Sequence, residues 1–260
     1  VENLLQVILL GIIEGVTEFL PISSTGHLLI AQHWLGRRSD LFTVAIQSGA
    51  ILAVTLVYWR RLLDMALGFM RPENRDYLLK LFVALMITVV GGLGARLAGV
   101  ELPESVYPVA AALIIGGFVI FAVESYVSKR EPNTAISWGA AAWVGVAQVI
   151  AAVFPGTSRS AAALFAAMLA GTTSRPAAAE FAFLLAIPTM FAATAYQFLE
   201  LYLEGGLATE HWGDLGVAFV VSTIVGFIAV KWLLRYIQSH SYVPFAWYRI
   251  ALGLLLIAFV

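Results

Sequence analysis

The sequence predicts an all-α polytopic membrane protein of two inverted-topology halves, each with one re-entrant helix hairpin and three transmembrane helices. Three observations carry that expectation. Apolar residues make up 61% of the 260-residue chain and charged residues only 12%, whereas a soluble domain holds about 45–50% and about 25%. Six apolar segments are long enough to cross a bilayer. Two further apolar stretches run into a proline and resume beyond it. A water-soluble fold could not hide so much apolar surface in a single core, and the mean hydropathy of +0.89 agrees. The net charge of −1 argues against a polybasic nucleic-acid binder, so no nucleic-acid partner is expected. The absence of cysteine excludes disulfides, thiolate zinc sites and cysteine nucleophiles.

The first apolar stretch, Leu4–Leu20, meets Glu14 rather than a cleavage motif and has no basic region before it, so no signal peptide is expected. It ends at Pro21, and a short apolar helix follows at about 27–36. Spans are expected at about 41–59, 80–98 and 106–127. The second broken stretch, Trp138–Phe154, ends at Pro155 and resumes at about 160–171; spans follow at about 178–198, 215–235 and 243–260. Proline breaks a helix, and bare backbone at membrane depth survives only when buried in protein or lining a cavity. Each broken stretch therefore reads as a re-entrant hairpin, with a pair of kinked full spans as the alternative.

Loop charges give the sidedness. Arg60, Arg61, Arg71, Arg75 and Lys80 in the 60–80 connection, Lys129 and Arg130, and Lys231 and Arg235 mark the cytoplasmic face. The loop with Glu200, Glu204, Glu210 and Asp214, and the 99–105 loop with Glu101 and Glu104, face outward. Both termini then lie outside, the first hairpin enters from outside and the second from inside. The halves, about 1–127 and 136–260 of a single membrane domain, also align. Gly11, Glu14, Pro21 and Ser24 match Gly145, Gln148, Pro155 and Ser158 at an offset of 134, and Tyr107–Ala110 matches Val243–Ala246 at 136. Inverted repeats with broken helices place a site where the breaks meet.

Chemistry concentrates at those breaks. Glu14 and Glu18 are four apart, on one helix face, at a depth where a carboxylate is costly. They call for a metal, a shared proton or a water-filled pocket. Ser23, Ser24, Thr25 and Gly26 lead into His27 and the second arm, a helix N-terminus able to hold an anion. Thr157, Ser158 and Ser160 repeat that arrangement around Arg159, whose guanidinium suits phosphate oxygens. A structural Arg159–Glu pair and a capping role for His27 are the alternatives. Together the groups suit phosphoryl transfer: Arg159 and the helix N-termini bind phosphate, the carboxylates hold Mg²⁺ or Ca²⁺, a serine or water attacks, and His27 or a Glu moves the proton. There is no Walker loop, dinucleotide fingerprint or zinc-ligand spacing.

At these residues the chain resembles the undecaprenyl-diphosphate phosphatases, or bacitracin-resistance phosphatases. Glu14-Gly-Val-Thr-Glu18-Phe-Leu-Pro-Ile-Ser-Ser-Thr-Gly-His27 and Pro155-Gly-Thr-Ser-Arg-Ser160 carry the resemblance, and similar segments include Phe181–Pro188 and Tyr242–Arg249. One departure is Ala161-Ala162-Ala163 where members usually have Gly-Ala-Thr, so a threonine hydroxyl near the anion site is missing. The resemblance implies hydrolysis of the C55 isoprenyl diphosphate to the monophosphate and inorganic phosphate, recycling the lipid carrier of cell-wall synthesis. It implies an inner-membrane enzyme that requires a divalent cation and opens to the outer side. Its implied catalytic residues are Glu14, Glu18, Ser24, His27 and Arg159: Glu14 and Glu18 serve the metal or the general base, Ser24 and His27 are the candidates for nucleophile and proton transfer, and Ser23, Thr25, Gly26, Thr157, Ser158 and Ser160 lie at the substrate. The expected partners are the polyprenyl lipid, surrounding membrane lipids and a second copy of the chain in a homodimer.

Two other functions fit parts of the pattern. A transporter or flippase of an anionic polyprenyl lipid would use the inverted repeat but would not need proton-moving groups beside the anion grip. A phosphatase of the acid-phosphatase-like superfamily would match Ser24–His27 but lacks its lysine–arginine element.

Overall fold

The computed structural model describes residues 2–99, 106–205 and 211–259, and among them the only regular elements are helices. In the first half α1 (Glu2–Thr17) and α2 (Ser24–Leu35) flank the first break, followed by α3 (Asp40–Val57), α4 (Trp59–Leu67), α5 (Pro72–Leu97) and α6 (Val106–Val127). In the second half α7 (Trp138–Val153) and α8 (Arg159–Leu169) flank the second break, followed by α9 (Arg175–Leu203), α10 (Trp212–Tyr236) and α11 (Val243–Phe259). All six expected spans are present. Five are long and apolar enough to cross a bilayer by composition; α11, at 17 residues, is shorter. The expected outer-loop residues Glu101, Glu104 and Glu210 lie outside the described residues.

The 60–80 connection departs from expectation, because it contains a helix. Trp59, Leu63 and Leu67 of α4 fall on one exposed side while Met65 is buried, so the helix is amphipathic despite its arginines. The span expected from residue 80 starts at Pro72, and that expected from 178 starts at Arg175 with Pro176 behind it. Proline at the first turn has no donor to lose and presets φ. Pro188 lies inside α9 without ending it.

Polar pairs show which helix ends lie together. Asn3 Nδ2 donates to Asp214 Oδ2 at 2.7 Å, Arg38 Nη2 to Gln6 Oε1 at 2.9 Å and Arg96 Nη2 to Glu200 Oε1 at 2.9 Å. These gather the start of α1, the 36–39 loop and the ends of α5 and α9. At the opposite end Arg61 Nε donates to Glu180 Oε1 at 3.1 Å, and Arg175 grips Glu124 through two bonds of 2.9 and 2.5 Å. Lys80 lies over the ring of Trp138, the first residue of α7. The two broken stretches therefore start from opposite ends of the bundle. Their packing is reciprocal: α1 runs along α10 of the other half and α7 along α5, while α6 pairs with α11 and α3 with α9.

Matching glycines permit the close approach. A Cβ on Gly15 of α1 would sit 2.8 Å from the Ser222 carbonyl oxygen of α10, and one on Gly145 of α7 would sit 2.8 Å from the Ala84 carbonyl oxygen of α5. In a bilayer, where lipid is as apolar as leucine, such close packing drives helix association. Large apolar side chains such as Val90, Leu97, Ile115 and Ile228 are exposed around the outside, as a bilayer permits and water does not. Gly145→Val is expected to destabilise the protein by about 1–3 kcal/mol through overpacking, read as a lower Tm in detergent by circular dichroism. Gly92→Ala, where an added Cβ meets nothing within 4 Å, should leave Tm unchanged or raised.

Candidate active site

Each break ends on a serine in a conformation that side chains rarely adopt. Ser23 has φ 72° and Ser158 has φ 71°, and no other described non-glycine residue has a positive φ. Both cap the helix that follows: Ser23 Oγ accepts from Gly26 N at 3.4 Å and Ser158 Oγ from Ala161 N at 3.3 Å. Such backbone strain costs on the order of 1–3 kcal/mol and persists only where surrounding structure enforces it. The shared geometry makes Ser23 the counterpart of Ser158, and Ser24 the counterpart of Arg159. The sequence alignment, which paired Ser24 with Ser158, is off by one residue here because two residues separate Pro155 from Ser158 where one separates Pro21 from Ser23.

Glu18 is where the two breaks join. Its backbone N–H still bonds to the Glu14 carbonyl at 2.9 Å, which carries the helical turn one residue past α1 and keeps Glu14 and Glu18 on one face. Ser24 Oγ donates to Glu18 Oε2 at 2.5 Å, and Arg159 Nη2 donates to Glu18 Oε1 at 2.9 Å. Ser160 Oγ donates to the Glu18 carbonyl at 3.0 Å and lies 3.1 Å from Ser158 Oγ. A carboxylate thus holds a hydroxyl from its own break and a guanidinium from the other. The Arg159–Glu pair weighed as a purely structural alternative exists, but the Arg159 side chain is still 34% exposed. One bond to Glu18 leaves the other guanidinium donors available.

Glu14 is fully buried, and its carboxylate oxygens meet no donor among the described residues beyond the neighbouring carboxyl of Glu18, which is close enough to share a proton with it. It lies within electrostatic reach of Glu18 and Arg159. A buried, unpartnered carboxylate costs several kcal/mol unless something pairs with it. No group of three or more acidic or histidine side chains converges among the described residues, so the acidic donors here number two.

The remaining expected residues separate from this node. His27 turns away to bond the Ser23 carbonyl at 2.7 Å and the Tyr248 hydroxyl at 2.6 Å. Thr25 is exposed, and Gly26 is buried against Val109. Thr157 contributes its carbonyl oxygen rather than its hydroxyl. Two polar residues within apolar runs make bundle contacts: Gln148 accepts from Thr88, and Glu180 pairs with Arg61. An apolar cavity of about 880 Å³ lies between α3, α9 and α10, lined by residues such as Val44, Phe191, Phe198 and Phe219. None of the break residues lines it.

The residue that sequence reasoning passed over is Arg249 of α11. It is fully buried. Its Nε donates to the Leu113 carbonyl at 3.3 Å, Nη1 to Pro21 and Thr157 at 3.1 and 3.2 Å, and Nη2 to Ala112, Gly156 and Thr157 at 3.0, 3.1 and 3.2 Å. One guanidinium therefore ties the first break, the second break and α6 together through carbonyl oxygens alone. A Cβ on Gly116 would collide with that guanidinium, so the glycine makes room for it. The rule that singled out Glu14, a charge within an apolar run, applies equally to Arg249.

Comparison with known proteins places the chain in a family. A family model described as bacitracin resistance protein BacA matches residues 7–255. An undecaprenyl-diphosphatase of Rhizobium etli (strain CIAT 652) is 58% identical over 249 residues, covering 96% of this chain and 94% of the relative. One of Xanthomonas oryzae pv. oryzae (strain PXO99A) is 54% identical over 252 residues, covering 97% and 95%. Arg249→Met should leave several buried carbonyls without a donor, at about 1–3 kcal/mol each. The expected result is a Tm lower by at least about 4 °C and breaks that no longer hold their shape. Arg249→Lys, with three donors and no planar fork, should fall between; an unchanged Tm in Arg249→Met would mean the carbonyls do not depend on it.

Proposed function

Because the chain belongs to the bacitracin resistance protein family, we propose that its two breaks perform the reaction its relatives are named for. The protein is a multi-pass membrane phosphatase that hydrolyses undecaprenyl diphosphate to undecaprenyl phosphate and inorganic phosphate. The observation that carries our assignment of the site is the 2.5 Å bond from Ser24 Oγ to Glu18, with Arg159 of the opposite break on the second carboxylate oxygen. Nucleophile, base and an orienting third group in that order are the signature of an activated hydroxyl.

In this reading the free donors of Arg159 and the N-termini of α2 and α8 bind the terminal phosphate. Ser24 Oγ attacks its phosphorus while its proton passes to Glu18. The anhydride P–O bond breaks and its electron pair leaves with undecaprenyl phosphate. Water then attacks the phosphoserine and gives its proton to His27, Ser24 regains a proton from Glu18 as phosphate departs, and His27 releases its proton to the departing phosphate or to solvent. Ser23, Ser158 and Ser160 shape the pocket around the phosphates. Thr25, Gly26 and Thr157 act through the backbone that they supply.

A divalent cation fits the residues present, since Glu14 is buried with a second carboxyl, that of Glu18, beside it and no other donor to its oxygens. Glu14 and Glu18 would hold it, and when bound it would neutralise the diphosphate's charge. Two carboxylates completed by water and substrate phosphate suit Mg²⁺, which rarely takes an all-protein cage, better than Ca²⁺ with its six to eight oxygen ligands. The basic end of the bundle, with Arg60, Arg61, Arg71 and Arg75, supports a cytoplasmic placement in the plasma membrane by the positive-inside rule. The first hairpin then opens to the outer side.

The test is phosphate release from isoprenyl diphosphate by purified protein. Glu18→Gln and Arg159→Ala are each expected to lower turnover by at least about 10²-fold without loss of Tm. Near-wild-type turnover in either would mean that the site lies elsewhere. Chelation should stop release, and Mg²⁺ should restore it more fully than Ca²⁺. Residues labelled at Glu204 and Arg71 should be reached from opposite sides of sealed vesicles; labelling from one side would overturn the topology.

A further inference from the structure

The His27 side chain makes no bond to the Glu18 node, and its surroundings say how it is held. Its Nδ1 lies 2.7 Å from the Ser23 carbonyl oxygen, which can only accept, so Nδ1 carries the ring proton. In neutral imidazole Nε2 is then the bare nitrogen, and it lies 2.6 Å from the Tyr248 hydroxyl. The phenol therefore donates. The two rings are nearly parallel, 3° apart with centroids at 5.6 Å, and the short Nε2–hydroxyl contact sets them edge to edge. A bond at each nitrogen leaves the imidazole little freedom to turn. Tyr248 directly precedes Arg249, whose guanidinium is fixed on the carbonyls of both breaks. The clamp that shapes the breaks thus also sets where the phenol stands. Tyr248 itself is 45% exposed, so its hydroxyl can be displaced by an incoming water or phosphate oxygen.

We propose that Tyr248 is a positioning residue for His27, donating its hydroxyl proton to Nε2 and keeping that nitrogen oriented and unprotonated until substrate arrives. The proposal rests on the reading of the breaks as the phosphatase site. A residue that only packed beside His27 would need the ring and not the hydroxyl, so Tyr248→Phe, which keeps the ring, separates the two roles.

The experiment uses the full chain, labelled with ¹⁵N-histidine in micelles, and assigns His27 by its loss in His27→Asn. The wild type should show a protonated Nδ1 and an Nε2 shifted as a hydrogen-bond acceptor. In Tyr248→Phe, Nε2 should move to the position of an unbonded nitrogen while Nδ1 stays protonated. Turnover should fall by about tenfold in kcat, with KM within about twofold, as expected for lost orientation of a proton carrier. An Nε2 signal and kcat unchanged in Tyr248→Phe would overturn the proposal. A further loss from Tyr248→Phe added to His27→Asn would also overturn it, because the tyrosine would then act without the histidine. Wild-type turnover in His27→Asn itself would instead overturn the catalytic reading of His27, while the Nε2 signal still decides whether the tyrosine bond exists.

Discussion

A guanidinium buried without a carboxylate is the constraint on which the rest of this structure depends. Arg249 carries a full charge into the bundle and satisfies it on carbonyl oxygens of Ala112, Leu113, Pro21, Gly156 and Thr157. Hydrogen bonds to charged groups contribute about 1.5–3 kcal/mol each, which offsets a desolvation penalty of several kcal/mol for a buried ion. The exchange succeeds because the two breaks and α6 bring their carbonyls to one point. Conversely, the breaks keep their shape because a donor waits there. Bare backbone at membrane depth has to be satisfied inside the protein, and Arg249 satisfies it for both breaks at once.

The strain at Ser23 and Ser158 follows from the same arrangement. Two non-glycine residues near φ 70° are sustained because the preceding carbonyls are pinned on one side and the helix caps on the other. The result is a pair of helix N-termini facing one volume, with Ser24 and Arg159 at matching first positions. Glu18 then ties them across the interface between the halves. Little of this geometry has to form when substrate binds, and preorganised donors of that kind account for much of catalysis by electrostatic stabilisation.

Much of this was legible in the sequence, for identifiable reasons. The six spans and two breaks follow from hydropathy and proline, which act locally. Glu14, Glu18 and Arg159 stood out because a charge inside an apolar run demands a partner. Arg249 obeys the same rule, yet it lies near the start of its segment, where a positive charge also reads as a topological marker. Helix α4 was hidden because its arginines make a short amphipathic helix look like a loop. The equivalence of Ser23 with Ser158 depends on one extra residue between proline and serine in the second break, and φ values reveal that where sparse identities do not. Tyr248 gave no sequence signal beyond an aromatic among aromatics. Its meaning comes from α11 packing on the first break, a contact between residues 221 positions apart.

The central claim is that Glu18 and Arg159, from opposite breaks, act as one unit. The most direct measurement is kcat/KM for Glu18→Gln, Arg159→Ala and the double variant under saturating Mg²⁺. Groups that act as a unit are strongly non-additive, so the double variant should be within about threefold of the worse single one. Losses that multiply would contradict the account, because each residue would then contribute without the other.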